Sequence, residues 1–181
     1  MFSENIFKTY DIRGEYGKDF DAYFAKKLGS VFVHHLGAKK IVVARDMKAS
    51  STDLAKEIID GVISAGSDVI DIGATSTPLY YFGVINEGAD GGIMVTASHL
   101  GEEFNGFKIT KKNAVAIGGE ELLESARSLF EKDIAEVGEK GKVSTKNILE
   151  KYVESSIKFS GLKPGEINTA IKLTGDEMVL A

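Results

Sequence analysis

Short runs of β-branched residues alternate with segments of helical periodicity along this 181-residue chain, and that alternation constrains its fold most. Residues 41–44 and 92–96 are compact apolar runs, which are typical of buried strands. After the first of these runs, Leu54, Ile58 and Val62 recur at the spacing of one helix face. Strands that alternate with helices in this way predict an α/β layered domain with right-handed connections.

Residues of the kind that begin and end helices mark the boundaries of the predicted elements. Gly37 and Gly66 are expected to end helices, and Pro78 suits the first turn of another. The hydroxyls of residues 50–53 predict a side-chain cap for the second helix. The prediction is a strand into a loop over 6–14, helices over 20–37, 50–66, 77–86, 120–132 and 147–159, and strands over 41–44, 68–73, 92–96 and 105–110.

Composition excludes several classes of protein. The net charge of −5 argues against a general nucleic-acid binder, which would present a basic face. The chain has no cysteine, which excludes disulfides, thiolate catalysis and cysteine-based zinc sites. No apolar run approaches the roughly 20 residues that span a bilayer, and the first residues lack the pattern of a signal peptide. We therefore expect a cytoplasmic protein that binds neither nucleic acid nor membrane.

The loop after the predicted strand at 92–96 is the first candidate for chemistry, because active sites of open α/β sheets lie beyond the carboxyl ends of strands. Ser98 could accept and donate a phosphoryl group, and His99 could bind the phosphate or shuttle a proton. Lys108 could act as a general base. From residue types alone, a serine that caps a turn beside an exposed histidine is the simpler interpretation.

Two further loops carry cations that suit phosphate. Arg13 stands beside a glycine, and a guanidinium matches phosphate geometry, but it could equally pair with Asp11 on the surface. Arg45 and Lys48 precede a predicted helix N-terminus, which favours anions, although charged residues commonly flank such a terminus. No histidine pair or carboxylate cluster has metal-ligand spacing.

Five short segments in this chain, taken in order, resemble the α-D-phosphohexomutase family, the phosphoglucomutases and phosphomannomutases. The segments are residues 7–14, 45–46, 71–73 with 77–78, 96–99 and 105–108. The ordered set, which covers about residues 5–135, is more specific than any one segment. It favours the functional interpretation of Ser98, Arg13 and Lys108 over the simpler ones.

The resemblance implies a fold and a domain organisation. The fold would be a three-layer α/β/α domain with a four-stranded mixed sheet, the first of four mutase domains around one cleft. This first domain would cover residues 1–135. A linker over 136–146 and a helix with the start of a second domain over 147–181 would follow.

The resemblance also implies a reaction and assigns roles to residues of this chain. An isomerase of this family moves a phosphoryl group between C1 and C6 of a hexose through a phosphoserine and a hexose 1,6-bisphosphate. Ser98 would carry the phosphoryl group, His99 and Lys108 would assist proton movement, and Arg13 would stabilise the transferring group. Tyr10, Arg45 and Lys48 would bind phosphate or support the site. Magnesium would be held by an oxygen of the phosphoserine at Ser98 and by three aspartates of a second-domain loop.

This sequence departs from the family pattern at two places. Leu100 and Gly101 follow the Ser-His pair where Asn-Pro is usual, and Lys48 stands where arginine is common. We expect a serine-bearing mutase domain that is inactive alone and needs the remaining domains or a complementing subunit. Its ligands would be hexose 1-phosphate, hexose 6-phosphate and the bisphosphate. The alternative is a stand-alone domain that binds sugar phosphates or regulates another protein without catalysis.

Overall fold

A computed structural model describes residues 3–130 and 138–161. The chain divides into two compact units, Met1–Asn147 and Ile148–Ala181. The end of the helix predicted over 120–132, the start of the predicted linker and the segment after Gly161 lie outside the described residues. Within the described residues, no helix is both long enough and apolar enough to cross a bilayer.

The first unit alternates strands and helices as the hydrophobic pattern predicts. Short 3-10 turns lie at Glu4–Ile6 and Lys112–Ala114. The strands are β1 Ile12–Glu15, β2 Lys40–Arg45, β3 Asp68–Ala74, β4 Gly91–Val95, β5 Phe104–Lys111, β6 Val115–Ile117 and β7 Val143–Thr145. The helices are α1 Ala22–Leu36, α2 Ala49–Ser64, α3 Thr77–Asn86 and α4 Gly119–Phe130. The second unit contains α5 Leu149–Ser160, which ends at Gly161 in the left-handed conformation.

The sheet is mixed and has seven strands, so the expected count of four is wrong. Its order is β1-β5-β4-β2-β3-β7, with β6 paired to β5. Strands β4, β2, β3 and β7 run parallel, whereas β5 is antiparallel to β4, β1 and β6. The strands predicted after residue 40 are β2 to β5, and the strand predicted within 6–14 lies at the end of that segment, as β1. Strands β6 and β7 have only three residues each, too few for a period of two to show. Strand β7 lies within the segment predicted as a linker and pairs with β3.

Helices cover both faces of the sheet, as two adjacent glycines of β4 show. A Cβ on Gly91 would lie 2.8 Å from the ring of Phe32 in α1. A Cβ on Gly92 would lie 2.7 Å from the ring of Tyr80 in α3. Because successive residues of a strand point to opposite faces, α1 and α3 lie on opposite sides of the sheet. The domain is therefore layered α/β/α, and its main core fills the space between the sheet and the helices α1, α2 and α4.

Helix α2 begins differently from the prediction. It starts at Ala49, and its N-cap residue, Lys48, has no side-chain capping bond. Asp46, two residues before the N-cap, supplies the side-chain acceptor instead. Its Oδ1 accepts hydrogen bonds from the Lys48 backbone N–H at 3.0 Å and from Ser51 Oγ at 2.5 Å. The predicted hydroxyl cap at residues 50–53 is wrong, since Ser51 already lies inside the first turn and donates its hydroxyl hydrogen to Asp46.

Helices α1 and α2 approach so closely that glycine is required at their contact. A Cβ on Gly61 would collide with the backbone carbonyl of Lys26, and Ser30 Oγ donates to the Gly61 carbonyl at 2.8 Å. We expect Gly61→Ala to lower the free energy of unfolding by about 1–3 kcal/mol, because the helices must separate. Urea unfolding measures this. Gly138→Ala is the matched control, since a Cβ there meets nothing within 4 Å, and an equal loss in both variants would contradict the prediction.

Candidate active site

The loops after β2 and β4 and the facing ends of β1 and β5 meet at one edge of the sheet. The Thr96 N–H donates to the Gly106 carbonyl at 2.9 Å, and Gly106 is paired with Arg13 of β1. On the other side, the Asp46 N–H donates to the Val95 carbonyl at 3.0 Å. Sheet register therefore brings together residues that lie far apart in the sequence.

Ser98 lies in a strained turn just beyond β4. It is exposed, and its φ of 56° is in the left-handed region, which costs a residue with a side chain about 1–2 kcal/mol. The Ser98 N–H donates to Thr96 Oγ1 at 2.9 Å, and the Leu100 N–H donates to the Ala97 carbonyl at 3.2 Å. These bonds fix the backbone of the turn, in which Ser98 is exposed. Strained residues of this kind cluster at functional sites, which makes Ser98 a candidate.

Two cations share one buried carboxylate at the same edge. Arg13 Nη2 lies 2.5 Å from Asp11 Oδ2, and Lys108 Nζ lies 3.7 Å from the same oxygen. Arg13 Nε is buried without a hydrogen-bond partner. The group therefore has one excess positive charge and an uncommitted donor, which suits an anionic ligand. Arg13 pairs with Asp11, as the simpler interpretation predicts, and its binding of phosphate stays a prediction.

A cavity of about 270 Å³ opens beside this group. Its lining includes Lys8, Arg13, Leu100 and Phe104, so it connects β1 with the loop after Ser98. A larger cavity of about 360 Å³ lies at the opposite end of the parallel strands, near Lys40. The choice of candidate site therefore rests on the exposed Ser98 and the pair of cations, and not on cavity volume.

The remaining predicted site residues differ in their surroundings. Tyr10 is 80% exposed, and His99 is exposed next to Ser98. Arg45 Nη1 donates to the Asp46 carbonyl at 3.2 Å at the end of β2. Lys48 does not point to open solvent, because its ammonium lies against the backbone of the loop after Ser98. The structure thus brings Ser98, Arg13 and Lys108 to one edge and gives Lys48 partners that the sequence did not predict.

A buried polar network under the site escaped sequence reasoning. Asn105 is fully buried, and its Nδ2 donates to Ser50 Oγ at 2.8 Å and to Ser51 Oγ at 3.0 Å. Its Oδ1 accepts from the Gly106 N–H at 2.8 Å. Ser51 Oγ in turn donates to Asp46 Oδ1, which extends the network to the end of β2. The network joins the start of α2 to β5, and the local sequence shows only a serine pair and an asparagine.

Removing the asparagine amide from this network should destabilise the domain. Asn105→Leu removes the donor to the Ser50 and Ser51 hydroxyls and the side-chain acceptor of the Gly106 N–H, so we expect a loss of about 3 kcal/mol in the free energy of unfolding. Urea unfolding checks the value. Asn86→Leu, at an exposed position, should change stability by less than about 0.5 kcal/mol. A loss below about 1 kcal/mol for Asn105→Leu would show that the network carries little of the stability.

The described residues offer little to a metal ion. They contain no group of three or more histidine, aspartate or glutamate side chains placed to hold one. The carboxylate of Asp11 is already engaged by Arg13 and Lys108. An oxygen on Ser98 fits Mg²⁺, which prefers oxygen ligands, but it supplies one ligand at most.

Comparison with known proteins decides the family. The sequence profile described as phosphoglucomutase/phosphomannomutase, alpha/beta/alpha domain I, matches residues 4–135. The chain belongs to this family. The resemblance seen in the five ordered segments is therefore confirmed for this phosphoglucomutase/phosphomannomutase domain. Its α/β/α layering agrees with the description of the family's first domain.

Several members of the phosphoglucomutase/phosphomannomutase family are similar to the chain over most of its length. The phosphomannomutase of Escherichia coli is 36% identical over 157 residues, which cover 85% of this chain and 34% of that protein. The phosphomannomutase of Klebsiella pneumoniae is also 36% identical over 157 residues, with 85% of this chain and 100% of that sequence covered. The phosphoglucomutase of Neisseria meningitidis serogroup B is 34% identical over 156 residues, with 84% of this chain and 34% of that protein covered.

Solved structures of the family share the fold. A phosphoglucomutase/phosphomannomutase family protein from Burkholderia thailandensis superposes with a TM-score of 0.77 at 33% identity, with 87% of this chain and 36% of that one covered. A putative phosphomannomutase from Thermus thermophilus gives a TM-score of 0.73 at 26% identity, with 90% and 37% covered. The chain thus spans about a third of the length of these structures and of the E. coli and N. meningitidis relatives.

Proposed function

We propose that this chain is the serine-bearing part of a hexose-phosphate mutase and that Ser98 carries the phosphoryl group. The observation that carries the proposal is the exposed Ser98 hydroxyl, which is held in a left-handed turn at the edge where Arg13 and Lys108 meet. Membership of the phosphoglucomutase/phosphomannomutase family supports it. Relatives named phosphomannomutase and phosphoglucomutase indicate hexose phosphates as the ligands.

Phosphoryl transfer depends mainly on the positioning of the reacting groups and on stabilisation of negative charge, and less on covalent catalysis. The P–Oγ bond of phosphorylated Ser98 breaks while phosphorus bonds to a hydroxyl oxygen of the hexose phosphate. Ser98 Oγ takes up a proton and the hexose hydroxyl gives one up. The bisphosphate then turns around, and transfer of its other phosphoryl group to Ser98 reverses both proton movements. The product is the isomeric hexose phosphate.

The residues at this edge have distinct parts in the proposed reaction. Arg13 binds the equatorial phosphate oxygens with its guanidinium. The planar guanidinium can bind two oxygens at once, which a lysine ammonium does less well. Lys108 and His99 are the nitrogen groups that accept and return the protons. Asp11 holds Arg13 and Lys108 in place. Mg²⁺ bound to an oxygen of the phosphoserine would neutralise negative charge there, with its carboxylate ligands supplied by a second domain.

Titration of the chain with glucose 1,6-bisphosphate distinguishes the two candidate functions, a phosphoryl carrier and a binding domain without catalysis. In NMR spectra we expect shifts at the amides of residue 13, residues 96–99 and residues 106–108. Intact mass should then show the gain of one phosphoryl group. Shifts without a gain in mass, even with the remaining mutase domains added, would favour the binding domain. We expect no conversion of glucose 1-phosphate to glucose 6-phosphate by this chain alone, and robust turnover would contradict that expectation.

A further inference from the structure

The side chain of Lys48 crosses from the start of α2 to the loop that follows Ser98. Its Nζ donates to the backbone carbonyls of Leu100 at 2.8 Å, Gly101 at 2.5 Å and Phe104 at 3.0 Å. The first of these carbonyls is only two residues from Ser98. One ammonium therefore ties together both ends of the segment 100–104.

The ammonium of Lys48 has no donor left for a ligand. A lysine side chain carries three N–H donors and no acceptor, and the three carbonyls take all of them. The backbone of the residue is fixed as well, because its N–H donates to Asp46 Oδ1. A phosphate oxygen could bind this ammonium only if a loop carbonyl were released.

The far end of the segment is anchored to the sheet, because the Tyr16 N–H donates to the Glu103 carbonyl at 2.9 Å and Phe104 pairs with Glu15 of β1. Leu100 and Gly101, at its start, lie outside any strand. Gly101 has the freest backbone of the segment, since it lacks a Cβ. Within the segment, the Phe104 N–H donates to the Gly101 carbonyl at 3.1 Å, and that carbonyl also accepts from Lys48. Hydrogen bonds from a charged donor are about twice as strong as neutral ones. The Lys48 ammonium thus restricts the backbone of the loop at the residue where glycine leaves it most free.

We propose that Lys48 is a positioning residue, which clamps the loop so that Ser98 keeps its left-handed turn, and that it is not a ligand of the substrate phosphate. The proposal rests on the proposed function of Ser98 for its catalytic consequence. The clamp itself is a property of the backbone and can be measured without any reaction. A guanidinium holds its N–H donors in one plane, whereas the ammonium directs three donors from a single nitrogen, so the two side chains are not interchangeable at this position.

The chain contains no cysteine, which permits a direct test. Lys48→Cys introduces a unique thiol, and alkylation with 2-bromoethylamine restores an ammonium on a side chain of nearly lysine length. We expect the amides of Ser98, Leu100 and Phe104 to exchange hydrogen for deuterium at least about tenfold faster in Lys48→Cys, and alkylation to restore slow exchange. Lys56→Cys is the matched control, because that ammonium pairs with Asp53 on the exposed surface.

Unchanged exchange in Lys48→Cys, with the core amides as slow as in the parent chain, would overturn the clamp. The rate of phosphoryl uptake from glucose 1,6-bisphosphate then tests the consequence. A positioning residue predicts a maximal rate lower by about tenfold at an unchanged half-saturating concentration, with recovery on alkylation. A raised half-saturating concentration at an unchanged maximal rate would make Lys48 a substrate ligand and contradict the proposal. If the parent chain takes up no phosphoryl group, the proposed function fails, while the exchange rates still decide the clamp.

Discussion

Ser98→Gly is expected to abolish phosphoryl uptake from glucose 1,6-bisphosphate while the domain keeps its fold. Glycine adopts a positive φ without steric cost, so the turn at φ 56° survives the substitution. The bonds that hold this turn use the Ser98 N–H, Thr96 Oγ1 and the Ala97 carbonyl, none of which is removed. Only the CH2OH side chain is lost. Intact mass spectrometry before and after incubation measures the uptake.

The same variant separates chemistry from stability. Relief of left-handed strain and the larger freedom of glycine in the unfolded chain act in opposite directions. We therefore expect the free energy of unfolding to stay the same or to rise by up to about 1 kcal/mol. Ser156→Ala, at an exposed position of α5, is the control and should retain full uptake. Phosphoryl uptake by Ser98→Gly at the parent rate would show that Ser98 does not carry the phosphoryl group.

Arg13→Lys is expected to slow phosphoryl transfer to Ser98 by about 100-fold or more, although the charge is kept. Lysine can still pair with Asp11, but it loses the planar fork that matches phosphate oxygens. Loss of one donor aimed at developing negative charge commonly costs a factor of this size. The rate is followed by intact mass at saturating glucose 1,6-bisphosphate. Stability should change by less than about 1 kcal/mol, because the ion pair with Asp11 persists.

The chain offers a matched control for the arginine. Arg127 makes a bidentate pair with Glu4 on the surface, with Nε and Nη2 at 2.7 Å and 2.6 Å from the carboxylate oxygens. This contact holds the pKa of Glu4 below its usual value, because Arg127 donates to the charged form. Arg127→Lys removes the same fork without changing the group of Arg13, Asp11 and Lys108, so it should leave the transfer rate unchanged. Equal slowing in both variants would mean that Arg13 acts through general stability.

The central part of the fold could be predicted from the sequence because its elements are long enough to show their periods. Strands β2 to β5 and helices α1 to α4 follow the predicted order, and α3 matches at both ends. Strands β6 and β7 are too short for such a pattern, and all three residues of β7 are exposed. Their pairing depends on neighbours that local sequence does not reveal, which is why the predicted sheet had too few strands.

Residues of the candidate site could be predicted only as far as their chemistry appears in local motifs. Ser98, Arg13 and Lys108 stand in segments that resemble the family. Lys48 is predicted to bind phosphate because it precedes a helix N-terminus, which favours anions. In the structure its ammonium contacts carbonyls 52 to 56 positions away, and no local sequence pattern predicts such contacts with backbone carbonyls. The same holds for Asn105, whose importance comes from complete burial.

The measurement that tests the central claim most directly is localisation of the phosphoryl group in this chain after incubation with glucose 1,6-bisphosphate and Mg²⁺. Fragmentation of the modified protein in a mass spectrometer should place a single phosphoryl group on Ser98. A group found on another residue would contradict the claim. So would the absence of any phosphoryl group after the remaining mutase domains have been added.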